Sequence, residues 1–275
     1  MTIPDLPLSD SVSIPQLGFG VFQVDPATTQ EVVEQALEAG YRHIDTAKVY
    51  GNEEGVGRAL AASGIARDEV FVTTKLWNAD QGRDATLAAF DASLDRLGLD
   101  VLDLYLIHWP TPEHGTFVET WSAFEQLRDE GRVRAIGVSN FRAEDLATLA
   151  EAGLSTPSIN QVEAHPLLPQ VSLREYHQAH GILTEAWSPL AQGEVLDLPE
   201  ITGIAEAHDA TPAQVVIAWH LAIGNVVIPK SVTPDRIRSN FAASDLTLSD
   251  DEVATISRLD RGHRIGPDPS TFHAA

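Results

Sequence analysis

Short apolar runs alternate along this chain with longer segments whose apolar residues recur every three or four positions. Runs such as Val70–Leu76 are typical of buried strands, whereas Asp84–Leu97 carries leucines and a phenylalanine at the spacing of one helix face. Glycine follows several of the helical segments, as at Gly40 and Gly131, where it favours helix termination. The pattern predicts a repeated strand–helix unit.

The repeat occurs eight times. The predicted strands cover Leu17–Val21, Tyr41–Ala47, Val70–Leu76, Val101–His108, Val133–Val138, Ser158–Glu163, Ile182–Trp187 and Val226–Ile228. The predicted helices cover Thr28–Ala39, Glu53–Ala62, Asp84–Leu97, Val118–Glu130, Glu144–Glu151, Leu173–His180, Ile201–His208, Pro212–Ile223 and Asp235–Phe241. Strands separated by helices pair in parallel, and eight such strands closed on each other form an α/β (β/α)8 TIM barrel.

Two further segments lie outside the repeats. Ser11–Gln16 is predicted to be half of an N-terminal β-hairpin, and Ser249–Leu259 an additional C-terminal helix. A doubly wound sheet is the rival fold, but the turn at Gly18-Phe19-Gly20 lacks the third glycine of a dinucleotide-binding fingerprint. Because no linker or change in composition divides the chain, residues 1–275 are predicted to form a single barrel domain.

The composition excludes several classes of partner. The chain has 40 acidic and 18 basic residues, a net charge of −22, so it lacks the basic surface that nucleic acids require. It has no cysteine, which excludes disulfides and thiolate metal sites. No apolar run approaches the roughly 18 residues of a membrane span, and the amino terminus does not resemble a signal peptide. We therefore expect a cytoplasmic protein without a membrane partner.

Polar or aromatic side chains stand where most of the predicted strands end. In a barrel, the carboxyl ends of all strands form one rim, and the active site lies there. The strand-end residues are Asp45, Lys75, His108, Ser139, Asn140, Gln161, Trp187 and Lys230. Each alone is well explained as a cap, a solvated charge or a core side chain. So many on one rim favour a site of proton-transfer chemistry.

Several of these stretches resemble the aldo-keto reductases. The similar stretches are Gly40–Ala47, Tyr50–Glu53, Thr74–Trp77, Leu106–Pro110, Gly137–Phe141, Asn160–Pro166 and Ile228–Ser231. The resemblance is colinear from about Ile14 to Leu259. Tyr50–Gly57 and Trp187–Leu190 are most similar to the bacterial 2,5-diketo-D-gluconate reductases. The resemblance implies a monomeric, NADPH-dependent oxidoreductase that reduces aldehydes and ketones, including 2,5-diketo-D-gluconate or related small dicarbonyls.

The resemblance also implies a catalytic tetrad of Asp45, Tyr50, Lys75 and His108, whose chemistry can be argued separately. A carbonyl that receives a hydride needs a proton, and tyrosine, with a pKa near 10, is a weak general acid at neutral pH. The ammonium of Lys75 would lower the pKa of Tyr50, and Asp45 would keep Lys75 charged. His108 is expected to be a neutral donor that orients the carbonyl.

The residue types then predict the contacts of the cofactor, NADPH (NADP+). Ser139, Asn140 and Gln161 would hold the nicotinamide carboxamide, and Trp187 would stack on the ring. The following loop would cover the pyrophosphate with Ser188, Leu190 and Gln192. A cluster at the start of the last repeat's helix would bind the adenosine 2′-phosphate, unless it is only a solvated face. This phosphate cluster consists of Lys230, Ser231, Val232, Thr233, Arg236 and Asn240.

The predicted partner is a small carbonyl substrate. Phe22, Trp77 and Trp109 are expected to line the mouth of the site together with His108. Lys48 stands beside the tetrad, where it would favour substrates bearing a carboxylate or simply be solvated, the interpretation we favour. The loop Thr111–Thr116 and the carboxyl-terminal segment Gly262–Ala275 are expected to shape specificity.

Two other functions are considered. A redox-sensing barrel would bind the cofactor with little turnover, although it would not need a complete tetrad. A metal-dependent hydrolase would use metal ligands from the set His43, Asp45, His108 and His165. The hydrolase leaves Lys75 and the phosphate cluster without a role, so we expect no metal.

Overall fold

A computed structural model describes residues 3–9, 11–272 and 274 of the chain. An antiparallel hairpin of β1 (Asp5–Pro7) and β2 (Ser13–Pro15) comes first. A sheet of eight parallel strands in chain order follows. Its strands are β3 (Phe19–Gly20), β4 (His43–Asp45), β5 (Phe71–Leu76), β6 (Leu102–Ile107), β7 (Val133–Ser139), β8 (Ile159–Glu163), β9 (Leu183–Trp187) and β10 (Val226–Val227).

Hydrogen bonds also join the two edges of this sheet. The backbone N–H of Gly18 donates to the carbonyl of Val227 at 2.9 Å, and the N–H of Val227 donates to the carbonyl of Gln16 at 2.9 Å. Leu17 and Val227 form a parallel bridge. The first and last strands therefore lie side by side, and the carboxyl ends of all eight strands share one rim.

Helices follow the strands along the chain. They are α1 (Thr29–Ala39), α2 (Glu53–Ala62), α3 (Arg83–Leu97), α4 (Phe117–Asp129), α5 (Ala143–Glu151), α6 (Val171–Ala179), α7 (Pro199–Ala207), α8 (Pro212–Ala222), α9 (Pro234–Phe241) and α10 (Asp250–Ser257). Gly40 ends α1 with a φ of 113°, and a Cβ there would lie 2.5 Å from the ring of Phe241. Glycine is required at this position for both reasons.

The two faces of the sheet have different chemistry. The face towards the helices is mostly apolar, as in the stack where the ring of Tyr105 lies 4.5 Å from Phe124 and 5.0 Å from Phe90, although it also carries Thr74, whose hydroxyl donates to Oε1 of Glu53 at 2.6 Å. The enclosed face carries buried polar side chains, among them His43 and Thr73, whose Nε2 and Oγ1 atoms are 3.2 Å apart. Because side chains alternate between the faces, the strands place polar groups inside without interrupting the apolar core.

The predicted elements are confirmed, each with bounds within two residues of those observed. Ser11–Gln16 contains β2, and Ser249–Leu259 contains α10. The parallel pairing of the strands is also confirmed. Residues 1, 2, 10, 273 and 275 of the predicted single domain lie outside the described residues. Within the described ranges, no helix is long and apolar enough to cross a membrane.

Candidate active site

A buried ion pair lies between the carboxyl ends of two neighbouring strands. Nζ of Lys75, on β5, donates to Oδ1 of Asp45 on β4 at 2.6 Å and to the carbonyl of Thr46 at 3.0 Å. Lys75 is fully buried. Burial acts to lower the pKa of Lys75, but the charge and hydrogen bond of Asp45, together with the charges of Tyr50 and Glu185, outweigh it, and that pKa is raised. Lys75 therefore keeps its positive charge inside the protein.

Tyr50 lies beside this pair, at the end of a short 3-10 helix, Lys48–Tyr50, that follows β4. Nζ of Lys75 is 5.3 Å from the centroid of the Tyr50 ring. Burial raises the pKa of Tyr50, and the charge of Lys75 acts against that rise. Lys75 thus has the predicted effect on the tyrosine, but the effect is smaller than that of burial.

His108 stands on the other side of Tyr50, directly after β6. Their ring centroids are 5.8 Å apart. Burial and the charge of Lys75 hold the pKa of His108 well below its ordinary value, so the imidazole is neutral. Within the described part of the chain, its Nδ1 atom has no hydrogen-bond partner. A neutral ring of this kind suits the predicted role of hydrogen-bond donor to a carbonyl.

Gln161 joins Asp45 to a second buried carboxylate that the sequence did not single out. Nε2 of Gln161 donates to Oδ2 of Asp45 at 2.8 Å and to Oε2 of Glu185 at 2.9 Å. Oε1 of Glu185 lies 3.7 Å from Nε2 of His43. Glu185 is fully buried, and burial raises its pKa to about 8. An acidic residue two positions before Trp187, within an apolar strand, was the available signal.

The buried carboxyl group of Glu185 is predicted to lower the free energy of unfolding as the pH rises. Its folded-state pKa of about 8 exceeds the ordinary value of 4.5, so stability falls as the pH rises between these values and then levels off. Glu185→Gln removes this cost and should raise the free energy of unfolding by up to about 3 kcal/mol at neutral pH. Urea unfolding at mildly acidic and neutral pH measures it. The exposed Glu206→Gln is the control, and equal pH dependence in wild type and Glu185→Gln would contradict the prediction.

Ser139 and Asn140 follow one another at the end of β7 and connect three neighbouring strands. Nδ2 of Asn140 donates to the carbonyl of His108 and to Oγ of Ser139, both at 3.0 Å. Its Oδ1 accepts from Nε1 of Trp187 at 2.9 Å. Oγ of Ser139 donates to the carbonyl of Gln161 at 2.8 Å. Binding of a carboxamide by Ser139 and Asn140 stays a prediction; Oγ of Ser139 and Oδ1 of Asn140 each accept one hydrogen bond here and can each accept another.

The loop after Trp187 has an unusual backbone. Ser188, Ala191 and Gln192 have φ values of 48°, 48° and 52°, a left-handed backbone region that residues other than glycine rarely adopt. Leu190 packs against the core, and Gln192 is exposed. Strained backbone of this kind is often found at binding sites. The contacts predicted for Ser188, Leu190 and Gln192 remain predictions.

The phosphate cluster surrounds the start of α9. Oγ1 of Thr233 accepts from Nη2 of Arg236 at 2.7 Å, and Oγ of Ser231 accepts from the N–H of Thr233 at 3.1 Å. Lys230 and Arg236 are exposed. Among the described residues, no salt bridge joins either cation to a carboxylate, whereas Arg238 pairs with Asp235 at 2.7 Å. The cluster therefore presents two unneutralised cations at a helix amino terminus.

The other two members of the phosphate cluster differ in exposure. Val232 is 51% exposed, so its side chain is available to a ligand, while Asn240 is 6% exposed. Whether either contacts the cofactor stays a prediction.

Aromatic rings line the opening above Tyr50 and His108. Phe22 is half exposed with its ring centroid 5.0 Å from that of Tyr50, and Trp77 lies 5.3 Å from His108. Trp109 stacks on the other side of His108 at 6.4 Å. The three predicted residues thus come together around the candidate site. The mouth is apolar, which suits organic carbonyl compounds.

Two further side chains at this opening were not anticipated. Phe272, from the carboxyl-terminal segment, lies 4.3 Å from Trp109 between ring centroids. Asp80 forms an ion pair with Lys48. Lys48 is therefore neither simply solvated nor free, because a substrate carboxylate would have to compete with Asp80.

The metal-binding alternative finds no support in the geometry. Within residues 3–9, 11–272 and 274, no group of three or more histidine, aspartate or glutamate side chains is arranged to hold a metal ion. His165 instead contacts Glu163, with Nε2 3.1 Å from Oε1.

Comparison with known proteins identifies the family of the chain. Residues 16–261 match the Aldo/keto reductase family. An aldo-keto reductase of Mycolicibacterium smegmatis is 58% identical over 270 residues, covering 98% of each chain. Methylglyoxal reductase DkgA of Yersinia pestis is 49% identical over 271 residues, covering 98% of this chain and 97% of its own. A crystal structure of a Gox0644 mutant in complex with NADPH superimposes with a TM-score of 0.95 at 46% identity, covering 99% of both chains.

The chain belongs to the aldo-keto reductase family. It is therefore an oxidoreductase, and the family that the sequence motifs resemble is confirmed.

Proposed function

We propose that this (β/α)8 barrel catalyses the NADPH-dependent reduction of aldehydes and ketones to alcohols, with Tyr50 as the general acid. The observation that carries the proposal is the buried Lys75–Asp45 pair directly beside Tyr50, at the rim where an aromatic mouth opens. The hydrogen bonds that join the two edges of the sheet, at β3 and β10, support the barrel. The NADPH bound to the related Gox0644 mutant supports the cofactor.

Tyr50 and its neighbours supply the proton in this proposal. When bound, NADPH would supply a hydride to the carbonyl carbon. The Nε2 of the neutral His108 donates a hydrogen bond to the carbonyl oxygen and orients it. Tyr50 then transfers its phenolic proton to that oxygen as negative charge develops there, and Lys75 stabilises the tyrosinate that remains. Asp45 holds Lys75 in place and keeps it charged.

The residues fit the cofactor's two ends. Both N–H groups of Gln161 are used by Asp45 and Glu185, so its carbonyl oxygen is the atom left to accept from the amide of nicotinamide. Lys230 and Arg236 offer positive charge for the 2′-phosphate. In a chain with a net charge of −22, such local cations are needed to attract a highly charged anion.

The substrates we propose are small carbonyl compounds, with dicarbonyls such as methylglyoxal or 2,5-diketo-D-gluconate foremost. The related protein of Yersinia pestis is called a methylglyoxal reductase, and the aromatic mouth above Tyr50 accommodates an organic chain. Following NADPH absorbance with a panel of diketo sugars, methylglyoxal, aromatic aldehydes and ketones tests this. The absence of NADPH oxidation with every compound would contradict the proposal and favour a redox-sensing barrel.

Cofactor preference gives a separate prediction. A charged hydrogen bond contributes about 1.5–3 kcal/mol, so Lys230 and Arg236 together should favour NADPH over NADH by about a hundredfold. Changing both to alanine should weaken NADPH binding severely and leave NADH binding nearly unchanged. Dissociation constants from quenching of tryptophan fluorescence measure this. The single variant Arg238→Ala is the control for loss of a nearby positive charge. Equal affinity of the wild type for both cofactors would refute the phosphate site.

We also propose that the enzyme is monomeric and cytoplasmic. The proposal rests on the family resemblance and on the high negative charge of the chain. Sedimentation equilibrium tests the first statement, and cell fractionation tests the second.

A further inference from the structure

The carboxyl-terminal segment Gly262–Phe272, here called the tail, contacts a buried carboxylate at the strand-end rim. Glu163 ends β8 and is fully buried. Its Oε1 accepts from the N–H of Ile265 at 2.6 Å, and its Oε2 accepts from the N–H of Gly266 at 2.9 Å. The polypeptide of the tail is therefore bound by its backbone to the interior of the rim.

Two side chains complete the surroundings of this carboxylate. Nη1 of Arg264 donates to Oε2 of Glu163 at 3.3 Å, and Nε2 of His165 lies 3.1 Å from Oε1. Burial acts to raise the pKa of Glu163, but these hydrogen bonds outweigh it and lower that pKa. Glu163 is thus ionised, and hydrogen bonds to an ionised carboxylate are about twice as strong as neutral ones.

The backbone of the tail at Gly266 packs closely against Trp187. A Cβ on Gly266 would lie 2.3 Å from Cη2 of Trp187 and 2.9 Å from Oε2 of Glu163, so no larger residue fits there without a shift. The opposite end of the indole donates from Nε1 to Oδ1 of Asn140 at 2.9 Å. The ring of Trp187 is therefore held between Asn140 and the tail.

The same tail supplies a wall of the opening. Phe272 lies 4.3 Å from Trp109 and 6.5 Å from Trp77, between ring centroids. Beyond it, Nδ2 of Asn78 donates to the carbonyl of Ala274 at 2.7 Å. Release of the tail from Glu163 would thus affect both the indole of Trp187 and the apolar mouth.

We propose that Glu163 is a positioning residue, which docks the tail and thereby fixes Trp187 and the wall formed by Phe272. The proposal rests on the proposed carbonyl reduction. Its consequence is a selective one: large apolar carbonyl compounds, which reach Phe272, depend on Glu163. Small aldehydes, which do not reach Phe272, depend on Glu163 only through Trp187.

The isosteric variant Glu163→Gln tests the docking, because an amide cannot accept from both backbone N–H groups as the carboxylate does. Trypsin cleavage after Arg261 and Arg264, followed by mass spectrometry, reports how often the tail is released. Loss of a charged hydrogen bond should speed cleavage by about tenfold or more. The control is Glu194→Gln, which removes an exposed carboxylate that contacts the tail only at His263, 3.0 Å away. Its cleavage rate should match that of the wild type.

Steady-state kinetics with propanal and with a naphthaldehyde test the effect on the site. In Glu163→Gln, KM for the naphthaldehyde should rise about tenfold more than KM for propanal, because loss of the Phe272 wall affects the large aldehyde alone, whereas a change at Trp187 affects both aldehydes equally. A merely structural role would lower activity towards both aldehydes alike.

A second variant approaches the same contact from the tail. Gly266→Ala should displace the tail from Trp187 and reproduce the selective rise in KM and the faster cleavage. The matched control is Gly203→Ala, since a Cβ on Gly203, within α7, meets no atom within 4 Å. If Glu163→Gln does not fold, Gly266→Ala decides the proposal.

Unchanged cleavage in both tail variants would overturn the docking role. Faster cleavage with equal kinetics for the two aldehydes would overturn the effect on the site. If the wild type oxidises NADPH with neither aldehyde, the proposed function fails, and the cleavage rates still decide whether Glu163 docks the tail.

Discussion

Tyr50→Phe is expected to lower turnover by about 10²–10⁴-fold while NADPH still binds. The substitution removes the phenolic proton and keeps the ring, so the contact with Phe22, 5.0 Å between centroids, survives. General acid catalysis by a positioned side chain typically contributes this factor. Single-turnover oxidation of bound NADPH by an aldehyde measures the loss, because product release does not limit that rate.

Tyr176→Phe is the matched control. Tyr176 lies on α6 and stacks on His180, away from the rim, so loss of its hydroxyl should leave turnover unchanged. A Tyr50→Phe enzyme that keeps more than half of the wild-type single-turnover rate would remove Tyr50 from the chemistry.

Lys75→Met should be almost as damaging to turnover. Burial already raises the pKa of Tyr50, and Lys75 is the cation that opposes this effect. In the wild type, Nζ of Lys75 lies 5.3 Å from the centroid of the Tyr50 ring. Without Lys75, the tyrosinate left after proton transfer would form in a buried site without this positive charge. The pH dependence of the single-turnover rate measures the change. The control is Lys48→Met, which removes a partly exposed lysine from the 3-10 helix that also carries Tyr50.

The same variant should also be less stable. Asp45 would remain as a buried charge without its partner, and breaking a buried pair in this way typically costs about 3–5 kcal/mol. Adding Asp45→Asn to Lys75→Met should restore much of the stability but none of the activity. Normal activity and pH dependence in Lys75→Met would contradict the role assigned to Lys75.

The sequence predicted the strand-end residues because two local rules suffice for them. Alternating strand and helix patterns predict a parallel sheet, and each polar residue that ends an apolar run must then lie at its carboxyl rim. Asp45, Lys75 and His108 follow from these rules alone. Tyr50 does not, because it lies in a short 3-10 helix after β4 that has no strong periodicity, and it was found through the family resemblance.

Other features depend on contacts between distant parts of the chain. Glu163 and Ile265 are 102 residues apart, and Gln161 and Asp45 are 116 apart. No local pattern records such pairings. The raised pKa of Tyr50 has a related cause, since it depends on how deeply the ring is buried as well as on its neighbours.

In the proposed reaction, a hydride passes from NADPH to a carbonyl carbon and Tyr50 donates the proton. The most direct test uses an aldehyde and NADPH that is deuterated at the transferring carbon of nicotinamide. The alcohol that forms is then analysed by mass spectrometry. With the wild type, the former carbonyl carbon should carry one deuterium, and with Tyr50→Phe almost no labelled alcohol should form in the same time. An unlabelled alcohol from the wild type, or equal labelled product from both proteins, would contradict it.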